Sequence, residues 1–392
     1  MHFIADESIL FHSPAPQDLY CYTPWLEKGF NGRLFASFDI AGKGLVNEDG
    51  PKTDHGDYGS NQFRIYISDD RGYTWQPAAR LAMLHTRIFT AGQNVYALGH
   101  SGRLVIAKST DNGNTWSEPT VLDPVIHWHQ SGGSIERANG RIYLTMEHSP
   151  DGPGWAGGDP ILMSAYENDD LTKIENWTFS NKLEFKKIVG ATSAPGEKTP
   201  HCWLESSVAF QRDKSSFFYD PDFRSMLLFL RVNAAMFPNI AMVVKGTEKT
   251  DGSLELSTLK TPDGKTVLYC PFPGGYMKFQ IVWDEPSKLY WLIASQSRYT
   301  TFTDPEKMDP CMRWANERRH LELFYSRNLF DWCSAGVIAC GNTELESRHY
   351  ASLLIIDNDL LVLSRSGDTL AKDTHDTDMI TLHRVKNFRD LA

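Results

Sequence analysis

The chain has 392 residues, of which 41% are hydrophobic and 22% charged, and this ordinary globular composition excludes a largely disordered chain, a coiled coil and a collagen-like fibre. The formal net charge of −10 argues against a dedicated nucleic-acid binder, which would present a basic face. Phe, Trp and Tyr make up 12% of the residues, and 29 glycines and 20 prolines add turn-formers, so we expect an all-β chain of many short strands.

The N-terminal segment and the cysteines bear on localisation. Residues 1–20 include Asp6 and Glu7 and hold no long apolar core, which is not the pattern of a secretory signal. No apolar run approaches the roughly 18 residues that a membrane span needs. The 6 cysteines form no CxxC pair, so no metal site is predicted, and scattered thiols favour a reducing compartment. We therefore expect a cytoplasmic protein with no membrane contact, although a trimmed secretory signal would leave the same sequence.

The predicted elements are short strands separated by turns, with little helical periodicity. In chain order they are residues 63–68, 103–109, 141–147, 225–232, 280–284, 289–295, 320–326 and 352–364. Hairpin-turn pairs such as Asn31-Gly32 and Asn139-Gly140 lie between such segments. No linker or block of charge divides the chain, so we predict a single repeated all-β domain over residues 1–392.

Two segments that follow predicted strands carry the same signature. Residues 68–75, SDDRGYTW, and residues 109–116, STDNGNTW, both read S-x-D-x-G-x-T-W. At a hairpin corner the Asp can accept backbone N–H bonds, the Gly can adopt a positive φ, and the Trp can pack between sheets. Degenerate copies follow at 168–177 and 326–332, and a regular array of this kind indicates a propeller.

These repeats resemble the Asp boxes of the sialidase-like (BNR repeat) β-propeller superfamily. The resemblance covers almost the whole chain and implies a six-bladed β-propeller with roughly 65 residues per blade. It also implies that the Asp boxes support the fold rather than the chemistry, because they lie at blade corners away from the active site. Ligands of such propellers bind at the mouth of the central channel.

The resemblance to sialidases implies a catalytic set of a Tyr nucleophile, a Glu partner and an acid/base Asp. Tyr350, in SRHYASLL, matches the nucleophile position, and Glu205, in HCWLESSV, matches the Glu. The loop at residues 52–60 offers Asp57 as acid/base, with Asp54 as second choice. A neutral phenol attacks an anionic sugar without like-charge repulsion, and the Glu can take its proton.

Sialidases also bind the substrate carboxylate with three arginines. Arg231 matches the arginine that follows the Glu in the pattern. Either Arg318 or Arg319 matches a later one, and we favour Arg319. Arg348 would share a strand face with Tyr350 and is a further candidate for binding an anion.

The first arginine of the sialidase pattern has no counterpart in this sequence. Tyr22, in the segment YTPW, stands in its place, and we predict that it lines the substrate site. The loss of one bidentate carboxylate clamp would weaken binding of sialic acid, so the sialidase specificity does not follow from the fold.

A pair of histidines lies outside the sialidase pattern. His127 and His129 point the same way if they lie on a strand. His/Tyr pairs perform β-elimination in propeller lyases of uronic-acid glycans, so His129 with Tyr350 and Arg231 could form a base, an acid and an anion ligand.

Three further segments border the predicted channel. His201 lies near Glu205, and Lys278 lies in the loop at residues 274–279; we predict that both contact substrate. The segment at residues 364–368, SRSGD, is another loop of this kind at the end of the last predicted strand pair.

We therefore predict a carbohydrate-active glycoside hydrolase that cleaves a terminal, anionic sugar from an oligosaccharide or glycoconjugate, without a cofactor or a metal. The first alternative is a polysaccharide lyase acting on uronic-acid glycans. The second is a glycan-binding propeller without catalysis. The absent first arginine favours either alternative over a true sialidase.

Overall fold

The computed structural model describes residues 3–129, 133–149, 158–189, 202–233, 238–298 and 317–392. Its strands form six separate antiparallel sheets that follow one another along the chain. The predicted six-bladed β-propeller is therefore confirmed. No helix in the described segments is long and apolar enough to cross a membrane.

The strands are numbered in chain order, and each blade is one sheet. The first strand, β1 (Asp6–His12), belongs to the last blade. Blade 1 holds β2 (Tyr20–Lys28), β3 (Leu34–Ala41), β4 (Asn61–Ser68) and β5 (Gln76–Leu81). Blade 2 holds β6 (Leu84–Ala91), β7 (Asn94–His100), β8 (Arg103–Ser109) and β9 (Thr120–Ile126). Blade 3 holds β10 (Trp128–His129), β11 (Glu136–Ala138), β12 (Arg141–His148), β13 (Asp159–Tyr166) and β14 (Trp177–Phe179).

The second half of the chain continues the series. Blade 4 holds β15 (Cys202–Ala209), β16 (Ser225–Asn233), β17 (Ile240–Glu248), β18 (Leu254–Lys260), β19 (Thr266–Val267) and β20 (Tyr269–Pro271). Blade 5 holds β21 (Gln280–Asp284), β22 (Leu289–Ser295), β23 (His320–Ser326) and β24 (Cys333–Cys340). Blade 6 holds β25 (Arg348–Ile356), β26 (Asp359–Ser366) and β27 (Met379–Val385), with β1 at its outer edge.

Helical structure is confined to short connections. The one α-helix of the described segments is α1 (Phe185–Val189). The 3-10 turns are Phe30–Gly32, Lys43–Asn47, Asp57–Gly59, Ile174–Asn176 and Phe388–Leu391.

The ring is closed by the two ends of the chain. β1 pairs antiparallel with β27, from Asp6 opposite Arg384 to His12 opposite Met379. The outermost strand of blade 6 is thus supplied by the N-terminal segment. Closing the ring in this way leaves no blade incomplete at the seam.

The core is divided into layers between neighbouring blades, which explains why the strands are apolar on both faces. On β22, Leu292 packs in a cluster with Phe229 of blade 4, whereas the next residue, Ile293, packs in a cluster with Leu353 of blade 6. Successive side chains of a strand point to opposite faces, so each blade contributes to two layers.

Both S-x-D-x-G-x-T-W segments form the predicted corner. Asp70 Oδ1 accepts the N–H groups of Tyr73 (3.0 Å) and Thr74 (2.9 Å), and Gly72 has φ +83°. Asp111 accepts the N–H of Thr115 at 2.9 Å in the same way. Hydrogen bonds from the threonine hydroxyl and N–H lower the pKa of each aspartate to about 2.

The strand register places these corners at one end of the blades and the candidate site at the other. Ser68, which begins the first corner, pairs with Leu34 at the start of β3. Tyr22 pairs with Asp39 near the end of β3. The corners therefore brace the blades from the end opposite to the site.

Candidate functional site

A tyrosine, a glutamate and an arginine from blades 4 and 6 meet in one hydrogen-bonded cluster. The Tyr350 hydroxyl donates to Glu205 Oε1 at 2.8 Å, and Arg231 Nη1 donates to Glu205 Oε2 at 2.9 Å. The same Arg231 nitrogen donates to the Tyr350 hydroxyl oxygen. All three side chains are buried. The structure thus brings together three residues that lie far apart in the sequence.

The cluster separates the protonation states of its acid and its phenol. Burial alone would raise the pKa of Glu205, but the charge and hydrogen bond of Arg231 and the hydrogen bond from Tyr350 outweigh it, so the pKa is lowered. Burial raises the pKa of Tyr350 to about 12. At neutral pH a carboxylate therefore faces a neutral phenol at proton-transfer distance.

Both residues occupy an unusual backbone conformation at a bulge. Glu205 and Tyr350 each have φ +54°. The pairing of β15 with β16 shifts between Leu204 and Ser207, and that of β25 with β26 shifts between His349 and Ser352. Such bulges turn a side chain out of the regular alternation, and left-handed φ values are uncommon for non-glycine residues.

Blades 1 and 2 show the same combination of a bulge and a positive φ in their first strands, β2 and β6. Thr23, at a register shift in β2, has φ +44°, and His85, at a register shift in β6, has φ +50°. Strained conformations of this kind persist where the surrounding structure enforces them, often at functional sites. We infer from this repetition that the bulged parts of β2, β6, β15 and β25 together line the site.

Three guanidinium groups surround the Tyr350 ring. The Cζ atoms of Arg231, Arg318 and Arg365 lie 5.8, 5.6 and 5.5 Å from its centroid. Each comes from a different blade: Arg231 from β16, Arg318 from the segment before β23, and Arg365 from the end of β26. All three are buried. This concentration of positive charge is suited to an anionic ligand.

Arg365 lies against Tyr22, which was predicted from the sequence to line the substrate site. Its Cζ lies 4.2 Å from the Tyr22 ring centroid, and its Nη2 donates to the carbonyl of His375. The Tyr22 hydroxyl donates to Asp376 Oδ1 at 2.7 Å. Tyr22 therefore lines the cluster and supports an arginine supplied by the opposite end of the chain.

The other two arginines selected from the sequence are not brought to the Tyr350 cluster. Arg348 donates to both carboxylate oxygens of Glu7, at 2.9 and 2.8 Å. Arg319 donates to the carbonyl of Asn342 at 3.4 Å. Arg348 points away from Tyr350 because the bulge at Tyr350 breaks the alternation of side chains along β25, which would otherwise have put both on one face.

Lys278 contacts the backbone of Tyr350 rather than its hydroxyl group. Its Nζ donates to the carbonyls of Tyr350 and Ala351, each at 3.2 Å, and the side chain is fully enclosed. Burial lowers the pKa of Lys278 to about 7. The contacts fix the bulged backbone. His201, also selected from the sequence, lies outside the described residues.

Asp57 lies at the rim of a histidine-lined cavity. It begins the 3-10 turn Asp57–Gly59, and its side chain is 37% exposed. Asn61 Oδ1 accepts its N–H at 2.7 Å, and His85 Nε2 lies 4.0 Å from its Oδ2. The cavity has a volume of about 220 Å³ and is also lined by His100 and His129.

Backbone contacts fix the tautomers of two of these histidines. The N–H of Gly102 donates to His100 Nδ1 at 3.2 Å, so the proton of a neutral His100 is on Nε2. That nitrogen lies 2.9 Å from His85 Nδ1, which must accept, and the His85 proton is therefore on Nε2. Burial lowers the pKa of both rings well below the usual value, as this neutral chain requires. This hydrogen-bonded pair of histidines, the histidine chain, therefore directs the Nε2–H of His85 at Asp57.

His129 is joined to the Tyr350 cluster through a buried glutamate that the sequence did not single out. His129 Nδ1 lies 3.2 Å from Glu147 Oε2, and Glu147 Oε1 accepts the N–H of Glu205. Burial alone would lower the pKa of His129, but the hydrogen bond and charge of Glu147 raise it above the usual value. His129 and Glu147 thus form an acid/base pair adjoining the cluster.

Comparisons with solved structures agree with this fold. The Trypanosoma rangeli sialidase in complex with sialic acid superposes with a TM-score of 0.58 at 14% identity over 99% of this chain and 60% of that chain. The Penicillium chrysogenum α-L-arabinanase complexed with arabinobiose gives 0.53 at 12% identity over 98% of both chains. A Dyadobacter fermentans protein of unknown function gives 0.56 at 13% identity over 97% of this chain and 99% of that one.

No protein-family model and no curated protein matches the sequence. The chain has the fold of the sialidase-like six-bladed β-propellers, with a buried Tyr–Glu–Arg cluster where the blades converge.

Proposed function

We propose that the protein is a glycoside hydrolase that releases a terminal, anionic sugar from a glycan, with Tyr350 as nucleophile. The observation that carries the proposal is the hydrogen bond of 2.8 Å between the Tyr350 hydroxyl and the Glu205 carboxylate, both of which accept a hydrogen bond from Arg231 Nη1. The named activities of two structural neighbours, a sialidase and an arabinanase, support a glycan as the substrate class.

The geometry supports a two-step displacement. Glu205 takes the phenolic proton as the Tyr350 oxygen attacks the anomeric carbon, and Arg231 stabilises the negative charge that develops on that oxygen. Asp57 protonates the leaving oxygen as the glycosidic bond breaks. In the second step Asp57 takes a proton from water, the water oxygen displaces the tyrosine from the anomeric carbon, and Glu205 returns the proton to Tyr350. Two displacements retain the anomeric configuration.

Arg318 and Arg365 are the proposed ligands of the substrate anion. Their guanidinium groups lie within 5.6 Å of the Tyr350 ring centroid, so an acidic group bound between them would sit next to the attacking oxygen. Buried guanidinium groups bind carboxylates in a bidentate and directional way. The set differs from the pattern predicted from the sequence, since Arg365 serves in place of Arg319 or Arg348.

The test is incubation of the purified protein with sialosides, uronic-acid oligosaccharides and neutral exo-glycosides. Released reducing sugar and the ultraviolet absorbance of unsaturated uronic acids are followed together. The proposal predicts reducing sugar without absorbance, abolished in Tyr350→Phe and retained in the control Tyr73→Phe, a tyrosine at a blade corner. Release by Tyr350→Phe at the native rate would refute it.

The alternative is a polysaccharide lyase, and the His129–Glu147 pair is the observation that favours it. His129 would remove the proton next to a uronate carboxylate, and Tyr350 would protonate the leaving oxygen. Absorbance that rises with cleavage and is lost in His129→Gln would establish this reaction. Specific glycan binding without either signal would favour a binding propeller.

A further inference from the structure

One histidine and two aspartates converge at the seam where β1 closes the ring. His12 ends β1, Asp368 follows β26, and Asp378 directly precedes β27. His12 Nε2 lies 3.3 Å from Asp368 Oδ2 and 3.5 Å from Asp378 Oδ2. These ligand-type atoms lie within 4.8 Å of one another. The histidine and the two aspartates come from two chain segments, the end of β1 and the connection between β26 and β27, and they are not part of the Tyr350–Glu205–Arg231 cluster.

Backbone amides orient both carboxylates toward the histidine. The N–H of Leu370 donates to Asp368 Oδ1 at 2.6 Å, and the N–H of Asp368 donates to Asp378 Oδ1 at 3.1 Å. One oxygen of each carboxylate is thereby fixed, and the other faces His12. Hydrogen bonds of this kind orient the ligands of metal sites.

The Asp378 carboxylate is buried with one oxygen unsatisfied. Its side chain is 0% exposed, and Oδ2 accepts no hydrogen bond from the described residues. An orphaned, buried carboxylate oxygen is unfavourable unless a cation or a proton neutralises it. His12 Nε2 lies 3.5 Å from this oxygen, which is longer than a charge-assisted hydrogen bond of about 2.7–2.9 Å.

We infer that His12, Asp368 and Asp378 bind a zinc ion. Zinc bonds of about 2.0–2.2 Å in tetrahedral geometry separate the ligand atoms by roughly 3.3–3.6 Å, which includes both separations measured from His12 Nε2. A nitrogen with two carboxylate oxygens suits zinc, whereas calcium takes sets of oxygen ligands. His12 and Asp368 are 42% and 31% exposed, so the ion is reached from solvent and water takes the fourth position.

A second triplet nearby, Asp373, His375 and Asp376, does not meet the same criteria. The Asp376 carboxylate already accepts hydrogen bonds from Tyr22, Tyr58 and Lys372. Its oxygens are therefore satisfied by protein donors, and a metal would have to displace them.

The zinc ion ties the N-terminal strand to the last blade. Its three ligands connect the end of β1 with both ends of the segment between β26 and β27. Binding at a seam between segments this distant in sequence favours the closed ring over any state in which β1 has detached. The site therefore acts on the stability of the propeller.

The experiment compares chelator-treated full-length protein with and without added ZnCl2, CaCl2 or MgCl2 in the same buffer. Zinc content after dialysis and the thermal midpoint are measured. We expect one equivalent of zinc and a rise of about 3 °C at a hundredfold excess over Kd. His12→Gln and Asp378→Asn should each lose both effects. Asp373→Asn, in the second triplet, should keep them.

His12→Gln is the decisive variant, because His12 lies at the surface and its replacement leaves the core intact. Zinc bound equally by native protein and His12→Gln would overturn the assignment. So would a midpoint that responds to calcium and not to zinc, or loss of zinc in Asp373→Asn alone. Loss confined to His12→Gln and Asp378→Asn would support it.

Discussion

Glu205 and Tyr350 have the same left-handed backbone, φ +54°, at matching bulges in β15 and β25, and their side chains meet across the site at 2.8 Å. A regular strand would have sent each side chain into a layer between blades. The bulges instead direct both toward the convergence of the blades. The catalytic proposal therefore rests on two backbone irregularities as much as on the residue types.

Tyr350→Phe should abolish hydrolysis, with kcat lowered by about 10³-fold or more, while substrate binding persists, because only the hydroxyl is removed. Glu205→Gln should lower kcat by about 10²–10⁴-fold. The double variant should be little worse than Tyr350→Phe, since the two groups act as one unit. Steady-state kinetics and calorimetric binding check this, and independent, additive losses would contradict it.

Arg365→Gln should raise KM for an anionic substrate by about 10–100-fold with a smaller effect on kcat, because a buried charged hydrogen bond to the anion is lost. Arg348→Gln is the matched comparison, since Arg348 pairs with Glu7. A large KM effect of Arg348→Gln with none for Arg365→Gln would restore the choice made from the sequence.

His85→Gln tests whether the histidine chain positions Asp57. The His85 N–H that faces Asp57 is fixed through His100 by the Gly102 backbone. Its loss should lower kcat by about tenfold and leave KM nearly unchanged, and the pH-rate profile should shift. Asp57→Asn should cost more on substrates with poor leaving groups. Equal losses of Asp57→Asn on good and poor leaving groups would argue against an acid role.

The pH profile separates the two reactions. The lowered pKa of Glu205 keeps its carboxylate ionised, so hydrolysis should persist down to about pH 5. Elimination needs neutral His129, whose pKa is raised, so it should fall as pH drops through that pKa. Rates on an active substrate at several pH values decide between them.

The lowered pKa of Glu205 also makes the stability of the fold depend on pH. Glu205 has a lower pKa folded than unfolded, so its contribution is present above the unfolded pKa and lost as pH falls through the folded pKa. Glu205→Gln should flatten the acidic side of the stability profile measured by urea unfolding. An unchanged acidic side in that variant would contradict the assignment.

Asp70→Ala should lower the free energy of unfolding by about 1–2 kcal/mol, because the N–H groups of Tyr73 and Thr74 lose their acceptor. Asp70→Asn keeps an acceptor and should cost less. Activity should not change in either variant, since the corner lies at the end of the blades opposite to the site. Urea unfolding and specific activity test both statements.

The sequence determined the propeller because its signals are local. The S-x-D-x-G-x-T-W corners are set by side chains within eight residues of one another, and their form follows from the hydrogen bonds that Asp70 and Asp111 make to nearby N–H groups. Tyr350, Glu205 and Arg231 could be singled out because each lies in a segment that resembles a sialidase motif.

Tertiary structure alone decided which arginines meet. Arg318 and Arg319 are neighbours in sequence, and only the register of blade 5 determines which one faces Tyr350. The prediction that Arg348 shares a strand face with Tyr350 is wrong because the bulge changes the alternation of side chains in β25. The sequence indicates Arg365 only as part of a loop, because nothing local distinguishes it from a residue at the end of any strand.

The histidine chain, Glu147 and the seam at His12 were equally hidden from the sequence. Glu147 and Glu205 are joined by one hydrogen bond across two blades, and His12 meets Asp378 only when the ring closes. Hydrogen bonds within turns and the alternation of side chains along a strand depend on residues close in sequence, so the sequence determined the blades. The site and the seam are contacts between blades, so they exist only once the closed ring has brought the strand ends together.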